Sequence, residues 1–335
     1  MSLLKKVSRE LLFPLAVKTL KLHKFILSKS KNNYLIVNFH GVTDLKGHRF
    51  NNRHLDVGDF EKMLDYLKAN FNIVKLSEIF EMHEKKVIPS KKTIALTFDD
   101  GYLNNFETAL PVLKSKNIPA TFYVISKGLI DSGFYVWPDI VELTQKFAKE
   151  DLVLDKHVFK YPEYFCAELN VGIIDFLRGK GKDRMVYIKE ISEKYPFWKD
   201  AVKNYPQLIE LTRKEVLKKY ANETLLEIGS HSHSHFNLEH LSDEDCELEL
   251  KESYKIIEEC TGKKPVSIAF PDGSYNKQTL EIAFKTGYKN LVAVDYLFNE
   301  NNSVKGLLSR FTISNSTTPE SNLIRLARQF DKFGF

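Results

Sequence analysis

The chain has 335 residues, of which 43% are hydrophobic and 28% charged, proportions that are ordinary for a globular protein with a large core. Its net charge of +5 is modest and its basic residues are interleaved with acidic ones, whereas nucleic-acid binding needs lysines and arginines clustered on one face. Nucleic-acid binding is therefore not expected. The three cysteines, Cys166, Cys246 and Cys260, form no C-x-x-C pair, so we expect buried or idle thiols in a reducing compartment rather than a redox role.

Residues 1–33 predict a basic amphipathic helix. Lys18, Lys21 and Lys24 interrupt its apolar residues, so the segment lacks the apolar core of a signal peptide and is too charged to span a membrane. Such a helix either packs on the folded domain, which we favour, or lies on an anionic membrane surface. We expect a cytoplasmic protein, and the second arrangement would add peripheral contact at the inner face of the membrane through residues 1–30.

From residue 34 onwards, short apolar runs alternate with segments of helical periodicity. This alternation predicts a parallel sheet, either open or closed into a barrel. A stretch at about 126–224 does not follow this alternation, and we interpret it as an insertion that could cap the active site. In chain order we predict strands at Tyr34–Phe39, 73–75, Thr93–Phe98, 120–125, 225–229, 266–270, 288–294 and 308–313, and helices at 59–70, from Ser77, at 110–115, 242–261, 276–286 and 319–329.

The first motif with chemical content is Thr97-Phe98-Asp99-Asp100-Gly101-Tyr102, directly after an apolar run. Two adjacent carboxylates repel each other, and a bound cation would relieve that repulsion. Taken alone, the motif is equally compatible with a solvated turn.

The second motif, His231-Ser232-His233-Ser234-His235, follows another predicted strand. Histidines four residues apart fall on the same side of one helical turn, a spacing that zinc sites use. Together with an aspartate pair at another strand end, they predict a metal site. Two imidazoles and one carboxylate, with positions left open for water, suit a catalytic zinc, and the second carboxylate is then available as a general base.

These motifs resemble those of the polysaccharide deacetylases, the NodB-homology proteins of carbohydrate esterase family 4. The resemblance implies a deformed (β/α) barrel, here with a large and mainly helical insertion at 126–224 of the 34–330 domain. It also implies one divalent metal, with Zn²⁺ favoured, bound by Asp100, His231 and His235. Asp99 is then the catalytic base, and His233 falls on an unassigned position.

A third motif, Ala269-Phe270-Pro271-Asp272-Gly273-Ser274-Tyr275-Asn276, resembles the family pattern only in part. Ala269 stands where the family usually has an arginine that holds the catalytic aspartate. The form present here resembles the branch that deacetylates poly-N-acetylglucosamine. By that resemblance the backbone N–H of Asp272 is a candidate oxyanion donor, and Pro271, Tyr275 and Tyr102 are expected beside the substrate.

The general acid is assigned to His40. The stretch Ser309-Arg310-Phe311-Thr312-Ile313 lacks the late histidine of many family members, whereas His40 follows an early strand, as in the poly-N-acetylglucosamine branch. A purely structural histidine at a strand end remains the alternative. His233, His54 and His48 are the rival acids.

The motifs together predict a hydrolase of linear amides that removes an N-acetyl group from an amino sugar in a surface glycan or its precursor. Two alternatives are a catalytically inactive glycan-binding protein and a membrane-surface factor for glycan assembly. Intact Asp99, Asp100, His231 and His235 count against the first alternative.

Overall fold

The computed structural model describes residues 17, 21–30, 33–45, 53–294, 304–313 and 319–332. Its centre is a closed barrel of parallel strands in which each strand pairs with the next along the chain and the last pairs with the first. The predicted (β/α) barrel is thus confirmed. The barrel strands are β1 (Tyr34–Phe39), β2 (Thr93–Phe98), β3 (Ala120–Val124), β4 (Leu226–Ser230), β5 (Ser267–Ala269), β6 (Asn290–Val294) and β7 (Leu307–Thr312).

The barrel closes between β1 and its two neighbours. Every residue of β1 and β2 is buried, which explains why both read as continuous runs of mostly apolar residues. Asn38 of β1 pairs in register with Thr97 of β2 on one side and with Thr312 of β7 on the other. The carboxyl ends of these strands therefore lie together at one mouth of the barrel.

Helices and short strands complete the fold around the barrel. Ser242 caps the long helix as predicted, because its side chain accepts a hydrogen bond from the Asp245 N–H. Ser77 does not cap its helix, which begins one residue earlier, at Leu76. The helices are Leu22–Lys29, Val57–Asn70, Leu76–Glu84, Leu110–Ser115, Ser126–Ile130, Trp137–Ala148, Ile173–Arg178, Arg184–Lys194, Phe197–Asn204, Lys214–Tyr220, Asp243–Thr261, Lys277–Thr286 and Pro319–Lys332, with shorter helical turns at Asn105–Ala109, Gly181–Asp183, Pro206–Leu208, Leu238–His240 and Pro271–Gly273.

The segment between β3 and β4 builds a subdomain with its own apolar cluster around Trp137, Phe159 and Phe176. It combines helices with two small antiparallel sheets. Leu217, near the end of the segment, instead belongs to the cluster of the barrel, so the chain rejoins the barrel before β4 begins. The short strands outside the barrel are Gly41–Thr43 with His54–Asp56, Asn72–Ile73 along β2, Leu152–Leu154 with His157–Phe159, and Phe165–Cys166 with Val171–Gly172.

Most of the predicted amphipathic helix at residues 1–33 lies outside the described residues. The described part is the helix Leu22–Lys29, which contacts the helix Pro319–Lys332. Leu27 packs against the barrel cluster, whereas Phe25 is 61% exposed. Within the described residues, no helix has the length and apolar character needed to cross a membrane.

Candidate active site

Two adjacent carboxylates lie buried where β2 ends. Asp99 and Asp100 are each 3% exposed. Asp100 adopts a left-handed backbone conformation (φ 69°), and Gly101 follows with φ 68°. A Cβ atom on Gly101 would lie 2.9 Å from the Val124 Cα, so only glycine fits this turn. Because the chain turns sharply here, the two carboxylates face different partners.

Asp99 is held by an arginine from the last barrel strand. Arg310 Nη1 donates to Asp99 Oδ1 at 2.7 Å, and Nη2 donates to Oδ2 at 2.9 Å. Such a two-pronged pair fixes both the position and the plane of the carboxylate. Burial by itself would raise the pKa of Asp99, but the Arg310 guanidinium and the neighbouring His231 together outweigh burial and hold that pKa below its usual value. Asp99 is therefore ionised at neutral pH.

Asn38 completes the support of Asp99. Its Nδ2 donates to Asp99 Oδ2 at 3.0 Å. Its Oδ1 accepts from Thr97 Oγ1 at 2.8 Å and from Arg310 Nη1 at 3.0 Å. All four side chains are buried, so β1, β2 and β7 together hold the carboxylate in one orientation.

Asp100 faces two imidazoles. Its Oδ1 lies 3.5 Å from His231 Nε2 and 3.4 Å from His235 Nε2. One ligand atom from each of the three side chains lies within 4.8 Å of the other two. The Ala269 carbonyl, 2.8 Å from His231 Nδ1, accepts the proton on that nitrogen and leaves Nε2 available for a cation. This donor set fits zinc, for which two imidazoles and one carboxylate with open positions are a catalytic arrangement.

The segment that carries both histidines is a loop, so the predicted helical turn is wrong. Ser232 (φ 61°) and His235 (φ 56°) adopt left-handed conformations that turn the chain back towards Asp100. Glu249, on the helix Asp243–Thr261, fixes the loop by accepting from the backbone N–H groups of His233 and Ser234, at 3.1 and 2.7 Å. The two imidazoles meet through this anchored loop, with ring centres 5.0 Å apart.

His40 lies directly after β1 and lines the same cavity as the two carboxylates. Its Nδ1 is buried and has no hydrogen-bond partner among the described residues. Burial lowers the pKa of His40, and Asp100 and Asp99 oppose that shift without reversing it.

The rival histidines lie elsewhere. His54 is completely buried against Tyr102, with ring centres 4.6 Å apart. His233 Nδ1 lies 2.8 Å from Ser126 Oγ. Neither side chain lines the cavity. His48 lies outside the described residues.

The cavity over these groups has a volume of about 300 Å³. The barrel supplies its floor, and the segment between β3 and β4 supplies one wall, which fits the expectation that the insertion caps the site. The volume is at the small end of ligand pockets, which run to ~1,000 Å³. Its lining residues are Asn38, His40, Arg53, Asp99, Asp100, Trp137, Pro138, Glu142, Ile174, Arg178, His231, His235, Phe270, Asp272, Gly273, Val294 and Thr312.

An ion-pair cluster ties this wall to the barrel. Arg53 Nη1 donates to Glu142 Oε1 at 2.7 Å, and Nη2 donates to Asp139 Oδ1. The Tyr102 hydroxyl donates to Asp139 Oδ2 at 2.9 Å. Burial raises the pKa of Asp139 to about 7, although Arg53 opposes that shift. The helix Trp137–Ala148 is thus joined to the residues around the two carboxylates.

Comparison with known proteins identifies the family. A family model described as polysaccharide deacetylase matches residues 86–291, more than half of the chain. The chain belongs to the polysaccharide deacetylase family.

Two curated proteins are similar to this chain at low sequence identity. Protein YxkH of Bacillus subtilis (strain 168) is 23% identical over 232 residues, covering 69% of this chain and 55% of its own. The poly-beta-1,6-N-acetyl-D-glucosamine N-deacetylase of Staphylococcus epidermidis is 28% identical over 121 residues, covering 32% of this chain and 42% of its own. The chain therefore spans about half the length of these relatives.

Solved structures share the fold at low sequence identity. The Streptococcus pyogenes deacetylase PplD superimposes with a TM-score of 0.56 at 18% identity, over 87% of this chain and 96% of its own. IcaB from Ammonifex degensii superimposes with a TM-score of 0.55 at 16% identity, over 90% of this chain and 98% of its own. These structures agree with the deacetylase barrel described above.

The remaining motif residues lie at different places around the site. Asp272 lines the cavity, and its carboxylate lies 3.6 Å from both the Arg178 Nε and the Arg184 Nη1. Tyr102 is completely buried and bound to Asp139, outside the cavity lining. Pro271 and Tyr275 are not in the lining either; Tyr275 packs on Phe270, with ring centres 5.4 Å apart.

Sequence reasoning missed Arg310, the counter-ion of Asp99. The family pattern draws attention to the missing histidine in the stretch 309–313 and gives no role to its arginine. The signal that could have found it is a charged residue in the middle of a predicted barrel strand, because a buried charge needs a partner. The family arginine is absent at Ala269, and Arg310 supplies the same charge from another strand.

Proposed function

We propose that this polysaccharide deacetylase is a metal-dependent hydrolase that removes the N-acetyl group from an amino sugar in a surface glycan or its precursor. The observation that carries the proposal is the convergence of an ionised carboxylate, a three-residue donor set and a histidine on one cavity. The small volume of that cavity suits a single sugar ring better than a long section of polymer.

Asp100, His231 and His235 would hold the metal. When bound there, a divalent ion such as Zn²⁺ supplies a Lewis acid and favours deprotonation of water at neutral pH. The chain supplies the proton transfers. Asp99, ionised and fixed by Arg310 and Asn38, accepts the proton of the water that attacks the acetamide carbonyl. His40 lines the same cavity and would protonate the departing nitrogen, which is a poor leaving group as an amide anion. The backbone N–H of Asp272 is proposed to donate to the developing oxyanion.

Replacing His231 and His235 together by alanine should remove one bound metal ion per chain. The two imidazoles are two of three donors, and Asp100 alone leaves too few ligands for tight binding. Metal content by elemental analysis of purified protein measures the effect. His233→Ala is the matched control, because His233 lies on the same loop outside the donor set. A double variant that retains its full metal content would rule out this site.

Replacing His40 by alanine should reduce kcat by about 10²–10⁴-fold, the usual contribution of general acid–base catalysis, and leave the metal bound. An acid must be protonated, so activity should fall as pH rises through the pKa of His40. Because burial lowers that pKa, the alkaline limb of the profile should lie below that of an exposed histidine, near 6.5. The limb should flatten in His40→Ala. A nearly unchanged kcat in His40→Ala, with a large loss of kcat in His233→Ala, His54→Ala or His48→Ala, would assign the acid role to that other histidine.

Acetate release is the direct test of the function. The full chain, loaded with Zn²⁺, is incubated with N-acetylglucosamine oligomers and with nucleotide-linked and lipid-linked N-acetylated sugars, and Asp99→Asn serves as the inactive control. We expect release from an N-acetylated amino sugar, with carrier-linked forms preferred if the protein acts in the cytoplasm. No release from any member of the panel by metal-loaded protein would favour a binding role.

We also propose a cytoplasmic location. Residues 1–30 would add a peripheral membrane contact in the second of the two arrangements given above, in which this segment lies on an anionic membrane surface. The interrupted apolar residues of that segment and the exposed side chain of Phe25 support the proposal. Deleting residues 1–30 should reduce the fraction bound to anionic vesicles without changing acetate release. Equal binding by both forms would contradict it.

A further inference from the structure

The segment between β3 and β4 carries a second group of metal-ligand side chains, separate from the cavity. His157, Cys166 and Glu168 each place one ligand atom within 4.8 Å of the other two. The Cys166 side chain is buried, and His157 Nδ1 lies 3.0 Å from Glu168 Oε2. We propose that these three side chains bind a thiophilic divalent cation, with Zn²⁺ as the expected occupant.

The distances fit a zinc site. Zinc bonds of about 2.0–2.3 Å in tetrahedral geometry separate neighbouring ligand atoms by roughly 3.3–3.6 Å. The observed limit of 4.8 Å requires only a small inward movement of the side chains. A thiolate and an imidazole select zinc or cadmium over magnesium and calcium, which prefer oxygen ligands. Binding releases the Cys166 thiol proton to solvent, and a water completes the coordination.

An ordinary ion pair explains only two of the three residues. The Glu168 side chain is 70% exposed, and an exposed pair of this kind contributes little to stability. An ion pair does not explain why the buried Cys166 thiol lies beside the imidazole and the carboxylate. A cation accounts for all three side chains.

The site joins two sheets that share no strand. His157 belongs to the sheet of Leu152–Leu154 and His157–Phe159, and Cys166 belongs to the sheet of Phe165–Cys166 and Val171–Gly172. The His157 ring also contacts Phe176, with ring centres 6.1 Å apart. Phe176 precedes Arg178, which lines the cavity, by two residues on one helix. A bound ion would therefore brace the wall of the cavity.

Cobalt substitution tests this proposal on the full chain. After dialysis against a chelator under reducing conditions, Co²⁺ titration should produce a thiolate-to-cobalt charge-transfer band in the near ultraviolet. The band should be absent in Cys166→Ser. It should persist in Cys246→Ser, a matched change of another buried cysteine, and in the His231→Ala/His235→Ala variant. Glu168→Gln should weaken cobalt binding by at least 10–100-fold, the range measured when supporting residues of a metal site are changed.

Absence of the band in folded, unmodified protein, or an equal band in Cys166→Ser, overturns the proposal. If Cys166→Ser does not fold, Glu168→Gln decides, because its exposed side chain can change without disturbing the interior. Unchanged cobalt affinity in Glu168→Gln then overturns the site. The band is independent of deacetylation, so the outcome separates this site from the proposed activity.

Discussion

Asp99→Asn is expected to lower kcat by at least about 10²–10⁴-fold while the protein keeps its active-site metal. The amide cannot accept the proton that the carboxylate takes, yet it keeps the shape and one acceptor oxygen for Arg310 and Asn38. Asp100, which faces the two imidazoles, is untouched. Single-turnover acetate release and elemental analysis on the same sample measure both quantities.

Asp100→Asn is the comparison for that experiment. This change removes an anionic ligand from the donor set, so metal binding should weaken along with activity. Equal loss of metal in Asp99→Asn and Asp100→Asn would show that the two carboxylates do not divide the roles of base and ligand.

Arg310→Met is expected to reduce the free energy of unfolding by about 3–5 kcal/mol, because it leaves Asp99 buried without its counter-charge. It should also move the acid limb of activity to higher pH. Arg310 lowers the pKa of Asp99 against the effect of burial, so that pKa should rise without the guanidinium and the base should become protonated at higher pH. In the unmodified protein the lowered pKa stabilises the fold fully above the ordinary aspartate value of about 3.9, and this contribution is lost as pH falls through the lower folded pKa.

Urea unfolding and the pH profile of acetate release measure these effects. Arg328→Met is the matched control: Arg328 is exposed on the helix Pro319–Lys332, and its loss should change stability by less than about 0.5 kcal/mol. Combining Arg310→Met with Asp99→Asn removes both charges and should recover most of the stability without activity. Additive losses in the double variant would show that the two residues are not energetically coupled.

The barrel and most of the candidate site can be predicted from the sequence, because the patterns that indicate them lie within short stretches of the chain. Buried parallel strands read as apolar runs, and the carboxyl ends of such strands meet at one mouth. Residues next to strand ends, such as Asp99, Asp100 and His40, can therefore be grouped from the sequence alone. His231 and His235 followed from their spacing, although a loop anchored by Glu249, not a helical turn, brings them together.

The partners of these residues cannot be predicted from the sequence, since they depend on which distant segments the fold brings into contact. Arg310 and Asp99 are 211 residues apart, and Arg53 and Asp139 are 86 residues apart. Neither pair has a spacing that a local rule would detect. Tyr102 illustrates the same point: its motif suggested substrate contact, whereas its hydroxyl is buried and donates to Asp139 of the intervening segment.

The pairing of Asp99 with Arg310 also sets an order of events during biosynthesis. Asp99 leaves the ribosome 211 residues before Arg310 does, which at ~5–20 residues per second is a delay of roughly 10–40 s. Throughout that interval β1 and β2 can pair, but the barrel has no seventh strand and Asp99 has no counter-ion. The base is thus assembled by the last step of barrel closure. Under the proposed mechanism, a nascent chain would lack a fixed base until that step is complete, so the onset of acetate release would report the closure of the barrel.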